Sequence, residues 1–192
     1  FLDVDLDGFE DLLVPNGFER DNMNADVQAR IHAAKAGRKM LTADELQLRR
    51  MFPRLDTANL AFRNRGDLRF EEVGRQWGFN TPTISQGACL ADLDNDGDLE
   101  VIVNNLNAAA GVYRNETVAP RLAVRLKGRA PNTRGIGARI VVAGGPVPQS
   151  QQILGGGRYL SGDEAMRTFA AGTLTNRLRI EVAWRGGRRS VV

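Results

Sequence analysis

Two short acidic segments contain the residues whose types and spacing could do chemistry. Residues 3–11 (loop 1) and residues 92–100 (loop 2) both follow the pattern Asp-x-Asp-x-Asp-Gly-x-x-acid. Calcium takes six to eight oxygen ligands, and a turn of this kind can supply most of them from one segment. Four carboxylates packed this closely repel one another unless a cation neutralises them. The sequence therefore predicts two metal sites, with Ca²⁺ as the ion.

The predicted ligands are the side chains at the first, third, fifth and ninth positions and the backbone carbonyl at the seventh. The glycine at the sixth position, Gly8 or Gly97, permits the sharp turn. Mg²⁺ is disfavoured because it demands a tighter octahedron and keeps its waters. The predicted metal-binding residues are Asp3, Asp5, Asp7, Phe9 and Asp11 in loop 1, and Asp92, Asp94, Asp96, Asp98 and Glu100 in loop 2.

An EF-hand and a solvated turn are the two alternatives to such a site. An EF-hand requires a bidentate Glu at the twelfth position and flanking helices. The twelfth positions here are Val14 and Val103, inside apolar stretches that are typical of strands. An EF-hand is therefore excluded. Because Asp and Gly favour turns without any ion, the solvated turn stays open at this point.

Both loops belong to a longer internal repeat. Residues 3–14 align with residues 92–103, and each copy ends in a short apolar stretch followed by Pro-Asn-Gly or Asn-Asn. This pattern predicts a short buried strand and a turn after each loop. Self-similarity at a distance is typical of stacked repeat units.

A helical insertion at about residues 22–53 is predicted between the two copies. Residues 24–40 and 42–52 carry Ala, Gln, Lys and Arg at helical spacing. The run Thr42-Ala-Asp-Glu45 has the form of a capping box, and Pro53 ends the second segment. Apolar pieces at 60–62 and 68–70 flank a turn-like Asn-Arg-Gly-Asp cluster, which predicts a hairpin.

The sequence changes in character after residue 117. Leu122, Val124 and Leu126 alternate with basic residues, glycine-rich breaks follow, and a last alternating strand runs through residues 178–184. We therefore predict two domains, residues 1–117 and residues 118–192.

Composition excludes several classes of function. A single cysteine, Cys89, rules out internal disulfides and Cys-pair zinc or redox motifs, and with one histidine, His32, the parts for acyl transfer are missing. No apolar run is long enough to span a membrane. The net charge is +3, but the arginines are dispersed and not interleaved with aromatics, so we expect no nucleic-acid binding.

The first part of the chain resembles the FG-GAP/VCBS repeats of integrin-α-like β-propellers. The resemblance covers about residues 1–117. It rests on the two loops, on the hairpin Leu60-Ala-Phe-Arg-Asn64-Arg-Gly66-Asp67-Leu-Arg-Phe70, and on Val112-Tyr-Arg-Asn115 as the next copy of that hairpin.

Residues 118–192 resemble the ASPIC/UnbV domain of bacterial proteins and of the cartilage acidic protein group. Residues 132–140, 157–161 and 182–187 carry this likeness. The chain departs from the family pattern at Gly162, where Gln is usual, and at Arg185, where Pro is usual.

Together the two resemblances imply a fold class and a function. The fold class is all-β: partial β-propeller blades with a helical insertion, followed by a small β-sandwich-like domain. The function implied is a calcium-binding, non-catalytic module, extracellular or periplasmic, that binds or scaffolds through protein or glycan contacts. The alternative is an accessory domain of a larger carbohydrate-active or other enzyme. Partial blades expose strand edges, so we expect the remaining propeller blades or other chains of an assembly as partners.

Overall fold

The computed structural model describes residues 1–37, 41–55 and 57–192. Short antiparallel strands dominate, gathered into several small sheets, and no sheet closes into a barrel within these ranges. The all-β prediction is confirmed. In chain order the elements are β1 (Leu12–Val14), α1 (Ala25–Lys35), α2 (Thr42–Arg49), β2 (Leu60–Asn64), β3 (Phe70–Glu72), β4 (Ser85–Ala91), β5 (Glu100–Asn105), β6 (Gly111–Tyr113), β7 (Arg121–Arg125), β8 (Arg139–Ala143), β9 (Gln149–Gln152), β10 (Gly157–Arg158), β11 (Ser161–Gly162), β12 (Met166–Ala170), β13 (Arg179–Ala183) and β14 (Arg189–Val191).

Each acidic loop leads into a three-stranded antiparallel sheet. Loop 1 precedes β1 in the sheet β1-β2-β3, and loop 2 connects β4 to β5 in the sheet β4-β5-β6. The strands predicted after the loops are confirmed, as is the hairpin β2–β3. Its turn requires glycine at position 66, where φ is 73° and a Cβ would lie 2.8 Å from the Phe9 ring. The first hairpin is thereby packed against loop 1.

The predicted helical insertion is present, with shorter helices than the sequence indicates. Helix α1 begins after Asn24, whose side chain accepts a hydrogen bond from Val27 N, and ends at Lys35. The predicted extension of this helix to residue 40 reaches residues 38–40, which lie outside the described residues. Helix α2 ends three residues before the predicted limit, because the chain turns there and buries Phe52 against Val27 and Ile31.

The capping-box prediction for α2 is wrong. Thr42 is the first helical residue, and the N-cap is Leu41, which makes no side-chain capping bond. The Leu41 carbonyl accepts from Glu45 N at 3.1 Å and so opens the helix with backbone contacts alone. The Thr-x-x-Glu spacing was correct for a helix start, but the start lies one residue earlier.

Beyond residue 117 two further sheets share a hydrophobic core. The pair β12-β7 and the sheet β14-β13-β8-β9 bury their inner side chains against each other. Ile140, Val142 and Phe169 are fully buried there. Alternation along β8 and β13 sends every second residue into this core, and for β13 this is the pattern that the sequence predicted.

Strand β12 contributes to two cores at once. Phe169 packs in the core just described, whereas Met166 belongs to the core of the first part, with Ala61, Leu90 and Val103. All five residues of β12 are buried. The boundary predicted at residue 117 remains a prediction, since side chains from both sides of it pack together.

This sharing predicts cooperative unfolding. Trp77 contacts the first core and Trp184 the second, so Trp77→Phe and Trp184→Phe each leave one fluorophore to report on one core. Because β12 belongs to both, we expect coincident urea transitions. Met166→Ala should lower the free energy of unfolding by about 2–5 kcal/mol and shift both transitions. A shift seen only through Trp77 would contradict the shared role of β12.

Candidate metal centres

Loop 1 brings three carboxylates together. Asp3, Asp5 and Asp11 each place an oxygen within 4.8 Å of the others, with Asp3 and Asp11 buried. An antiparallel bridge between Leu2 and Asp11 closes the loop. Gly8 N donates to Asp3 at 2.9 Å, so the backbone of the turn holds the carboxylate at the first position. Loop 1 is thus the tip of a small hairpin whose acids point inward.

Loop 2 repeats this construction. Asp92, Asp94 and Glu100 have carboxylate oxygens within 4.8 Å of one another, and Ala91 pairs with Glu100 to close the loop. Leu93 N donates to Glu100 Oε2 at 2.7 Å, just as Val4 N donates to Asp11 Oδ2 at 2.8 Å in loop 1. The longer Glu at the ninth position therefore replaces Asp without changing this contact.

An arginine in β2 and another just after β6 contact the third positions of loop 1 and loop 2. Arg63 Nη2 lies 2.5 Å from Asp5 Oδ2, and Arg114 Nη2 lies 2.8 Å from Asp94 Oδ2. The sequence places both arginines in a recurring hairpin pattern and does not mark them as parts of the sites. The signal that could have found them is their recurrence in Arg-Asn, at the same place in both copies of that pattern.

The asparagine that follows each arginine fixes the ninth position. Asn64 N donates to Asp11 Oδ1 at 2.8 Å, and Asn115 N donates to Glu100 Oε1 at 3.4 Å. The Asn115 side chain also donates to Val4 O at 2.9 Å. The segment after β6 therefore contacts loop 1 as well as loop 2.

Four predicted ligands lie outside the two converging sets. Asp7 accepts from Phe9 N at 2.9 Å, and Phe9 packs its ring on the β2–β3 turn. Asp96 and Asp98 both contact Arg121. Phe9 and Asp98 were predicted to bind through their carbonyl oxygens; the contacts above describe only their side chains and N–H groups. All ten predicted positions lie in the two loops, but three acids in each converge.

Burial leaves the loop 1 carboxylates poorly neutralised. It raises the pKa of Asp3 to about 7, and the Asp7 and Asp11 carboxylates raise this pKa further, against the N–H donors of the turn. Burial likewise raises the pKa of Asp11 to about 6, although the N–H groups of Asn64 and Val4 oppose the shift. Protein donors alone therefore do not stabilise the charged form of these groups.

Buried carboxylate oxygens without a hydrogen bond indicate that each set of acids fits a metal ion. Asp5 Oδ1 in loop 1 and Asp92 Oδ1 in loop 2 are buried and accept no hydrogen bond from the described residues. Buried acceptors without a donor are rare and costly. Both sets consist entirely of oxygen ligands, which hard dications prefer. The residues present fit a cation of this class.

Two family models match parts of the chain. The family described as FG-GAP-like repeat matches residues 53–103, which include loop 2 and the β2–β3 hairpin. The family described as ASPIC and UnbV matches residues 128–192. The chain joins an FG-GAP-like repeat to an ASPIC/UnbV domain. No curated protein matched it. Loop 1 lies outside the matched segment, and its likeness to loop 2 rests on the contacts described above.

Strands β7 and β12 contact loop 2. Arg121, from the strand that pairs with β12, lies 3.0 Å from Asp96 and 2.8 Å from Asp98. Thr168 Oγ1 of β12 donates to Gly97 O at 2.8 Å. Asp98 is only 1% exposed, and burial raises its pKa to about 7, although the Arg121 guanidinium opposes this shift. Loop 2 therefore also has a structural role, because it ties the sheet β4-β5-β6 to β7 and β12.

Neither helix of the described residues has the length and apolar character that crossing a bilayer requires.

The contact between Arg121 and Asp98 predicts a stability effect. Arg121→Gln leaves a buried carboxylate without its cation and should lower the free energy of unfolding by about 3 kcal/mol. Adding Asp98→Asn removes the stranded charge and should recover part of that loss. Denaturant unfolding of the single and double variants measures both effects.

Arg75→Gln is the control for this cycle. Arg75 is exposed, and no carboxylate of the described residues lies within 4.0 Å of its guanidinium. Its substitution should change the free energy of unfolding by no more than about 0.5 kcal/mol. Equal effects of Arg121→Gln and Arg75→Gln would show that the contact at loop 2 contributes nothing.

Proposed function

We propose that this protein is a calcium-binding, non-catalytic module that acts outside the cytoplasm, extracellular or periplasmic, by binding or scaffolding through protein or glycan contacts. One observation carries the proposal: two copies of the same loop gather three carboxylates each, with a buried, unpaired oxygen in both sets. FG-GAP and ASPIC/UnbV domains are typically non-catalytic modules of extracellular type, which supports the rest.

The ligand chemistry favours Ca²⁺. The converging acids offer only oxygen ligands, held on a turn of backbone that can adjust to a coordination number above six, as Ca²⁺ prefers and Mg²⁺ does not. Asp3, Asp5 and Asp11 would hold the ion in loop 1. Asp92, Asp94 and Glu100 would hold it in loop 2. The bound ion would neutralise the carboxylates that burial leaves without donors.

The residues around the acids keep each loop in the binding arrangement. Asn64 N and Asn115 N orient the ninth-position carboxylates, so the hairpin that follows each loop is tied to its site. A cation that stabilises the loop therefore also stabilises the packing of loop on hairpin. In this way calcium would give rigidity to the sheets rather than take part in a reaction.

We infer further that the sheets β1-β2-β3 and β4-β5-β6 are blade units of a β-propeller. Each is antiparallel and has one acidic loop leading into one of its strands, and its last strand pairs with only one other strand among the described residues. Such edges are normally covered by another strand or chain. The partners that fit are the remaining propeller blades or other chains of an assembly.

Calcium-dependent thermal unfolding tests the metal proposal. A ligand that binds only the folded state at a hundredfold excess over its Kd stabilises by about 2.7 kcal/mol per site, which is roughly 5–10 °C in Tm at this chain length. We expect this rise with millimolar Ca²⁺ and little with Mg²⁺. Asp5→Asn and Asp94→Asn should each remove part of the rise, and the double variant all of it.

Asp67→Asn supplies the matched control. Asp67 lies exposed in the β2–β3 turn, and its Oδ1 accepts from Arg69 N, a bond that the Asn side chain can keep. The calcium-induced rise should be unchanged in this variant. If wild type and the double variant respond to Ca²⁺ alike, the acidic loops are solvated turns and the metal proposal is wrong.

A further inference from the structure

Charge is divided very unevenly along the chain. Residues 118–192 contain thirteen Lys and Arg against three Asp and Glu, a net charge of +10, whereas residues 1–117 carry −7. The overall charge of +3 conceals this difference. A basic domain of this kind attracts an anionic partner over distances of about 8–10 Å in physiological salt.

The pairing of strands β8, β13 and β14 places two of these basic residues on one surface. Arg139, Ala183 and Arg189 are directly opposed across β8, β13 and β14, so their side chains lie on the same side of the sheet. Their chain neighbours Ile140 and Val182 point the other way and are buried in the core. The arginines therefore lie on the outer face of the four-stranded sheet, and both are exposed.

The other side chains of this outer face are short or, taken together, carry no net charge. Its one acid, Glu181, lies 2.7 Å from Arg179 and is thus neutralised on the face itself. Arg139 donates to Ser150 Oγ at 2.7 Å, and the described residues place no carboxylate within 4.0 Å of Arg139 or Arg189. By register the face consists of Arg139, Val141, Ala143, Ser150, Gln152, Arg179, Glu181, Ala183, Arg189 and Val191.

We propose that this outer face binds an acidic polysaccharide. A guanidinium presents a planar fork that matches carboxylate and sulfate oxygens two at a time. Arg139 and Arg189 flank Ala183 in register, so two such forks lie on one face for the anionic groups of an extended polymer. The inference rests on the proposed function, because it names one partner among the protein or glycan contacts considered there.

Two other anionic partners are less well matched. Single-stranded nucleic acids are bound through aromatic side chains on which bases stack, and the residues of the outer face include no aromatic ring. A second copy of the chain offers little negative surface, because ten of the twenty acids in residues 1–117 lie in the two loops. Without those ten, residues 1–117 contain ten acids against thirteen basic residues.

Binding of the full chain to defined polymers tests the proposal. The probes are heparin-derived oligosaccharides (sulfated), polygalacturonate (carboxylated) and neutral dextran, titrated at low and physiological salt. We expect both acidic polymers to bind in a salt-sensitive way and dextran not to bind. Arg139→Gln with Arg189→Gln should weaken binding by about tenfold or more, the effect of losing one strong charged contact.

Matched variants separate the face from bulk charge. Arg30→Gln with Arg75→Gln removes the same charge from exposed positions in the first part and should change affinity by less than about twofold, since distant charges are screened. Arg139→Lys with Arg189→Lys keeps the charge but loses the fork, and should bind with intermediate affinity. Thermal unfolding confirms that each variant is folded.

Three results would each overturn the proposal. The first is that the acidic polymers fail to bind at low salt, and the second is that the glutamine pair and the control pair lose the same affinity. The third is that an oligonucleotide binds more tightly than the polysaccharides and loses this affinity when Arg139 and Arg189 are replaced. Self-association abolished by the glutamine pair would instead assign the face to a second copy. The calcium-induced rise in Tm, measured on the same samples, keeps the two proposals apart. If the calcium-induced rise in Tm persists while no acidic polysaccharide binds, the proposed binding face is wrong and the metal proposal stands.

Discussion

The structure depends on how closely spaced carboxylates are neutralised. Within each loop three acids have oxygens within 4.8 Å of one another, and Asp3, Asp11 and Glu100 among them are buried. Like charges at this spacing repel, and a buried charge without a partner is costly. Both loops meet this constraint in a similar way. Backbone N–H groups of the turn donate to the carboxylate at the first or the ninth position of the loop. An Arg-Asn pair from a later part of the chain then contacts the carboxylates at the third and ninth positions. A cation fits into this arrangement as the missing positive charge.

The helical insertion shows how strongly that arrangement is maintained. The contact from Asn64 to Asp11 spans 53 residues, whereas its counterpart from Asn115 to Glu100 spans 15. Lengthening a loop adds little to its closure entropy, so the two helices lie between loop and hairpin without changing their contacts. The site is therefore a property of the loop and the hairpin, and not of the chain between them.

Much of the fold was predictable because its signals are local. The acidic loops were predictable from residue spacing, β7 and β13 from alternation, and the β2–β3 hairpin from its Asn-x-Gly-Asp turn. The missed features depend on contacts distant in sequence. Arg121 reaches loop 2 from a later strand, and Met166 joins a core formed mainly by residues before 104. The exact start of α2 was missed because its N-cap, Leu41, carries no capping side chain.

The most direct measurement is a crystal structure grown in millimolar Ca²⁺, with anomalous scattering recorded to locate the ion. We expect two anomalous peaks, one with carboxylate oxygens of Asp3, Asp5 and Asp11 about 2.3–2.6 Å away, the other similarly placed in loop 2. Loops that keep their carboxylates on Arg63 and Arg114, with no peak at either, would contradict this expectation.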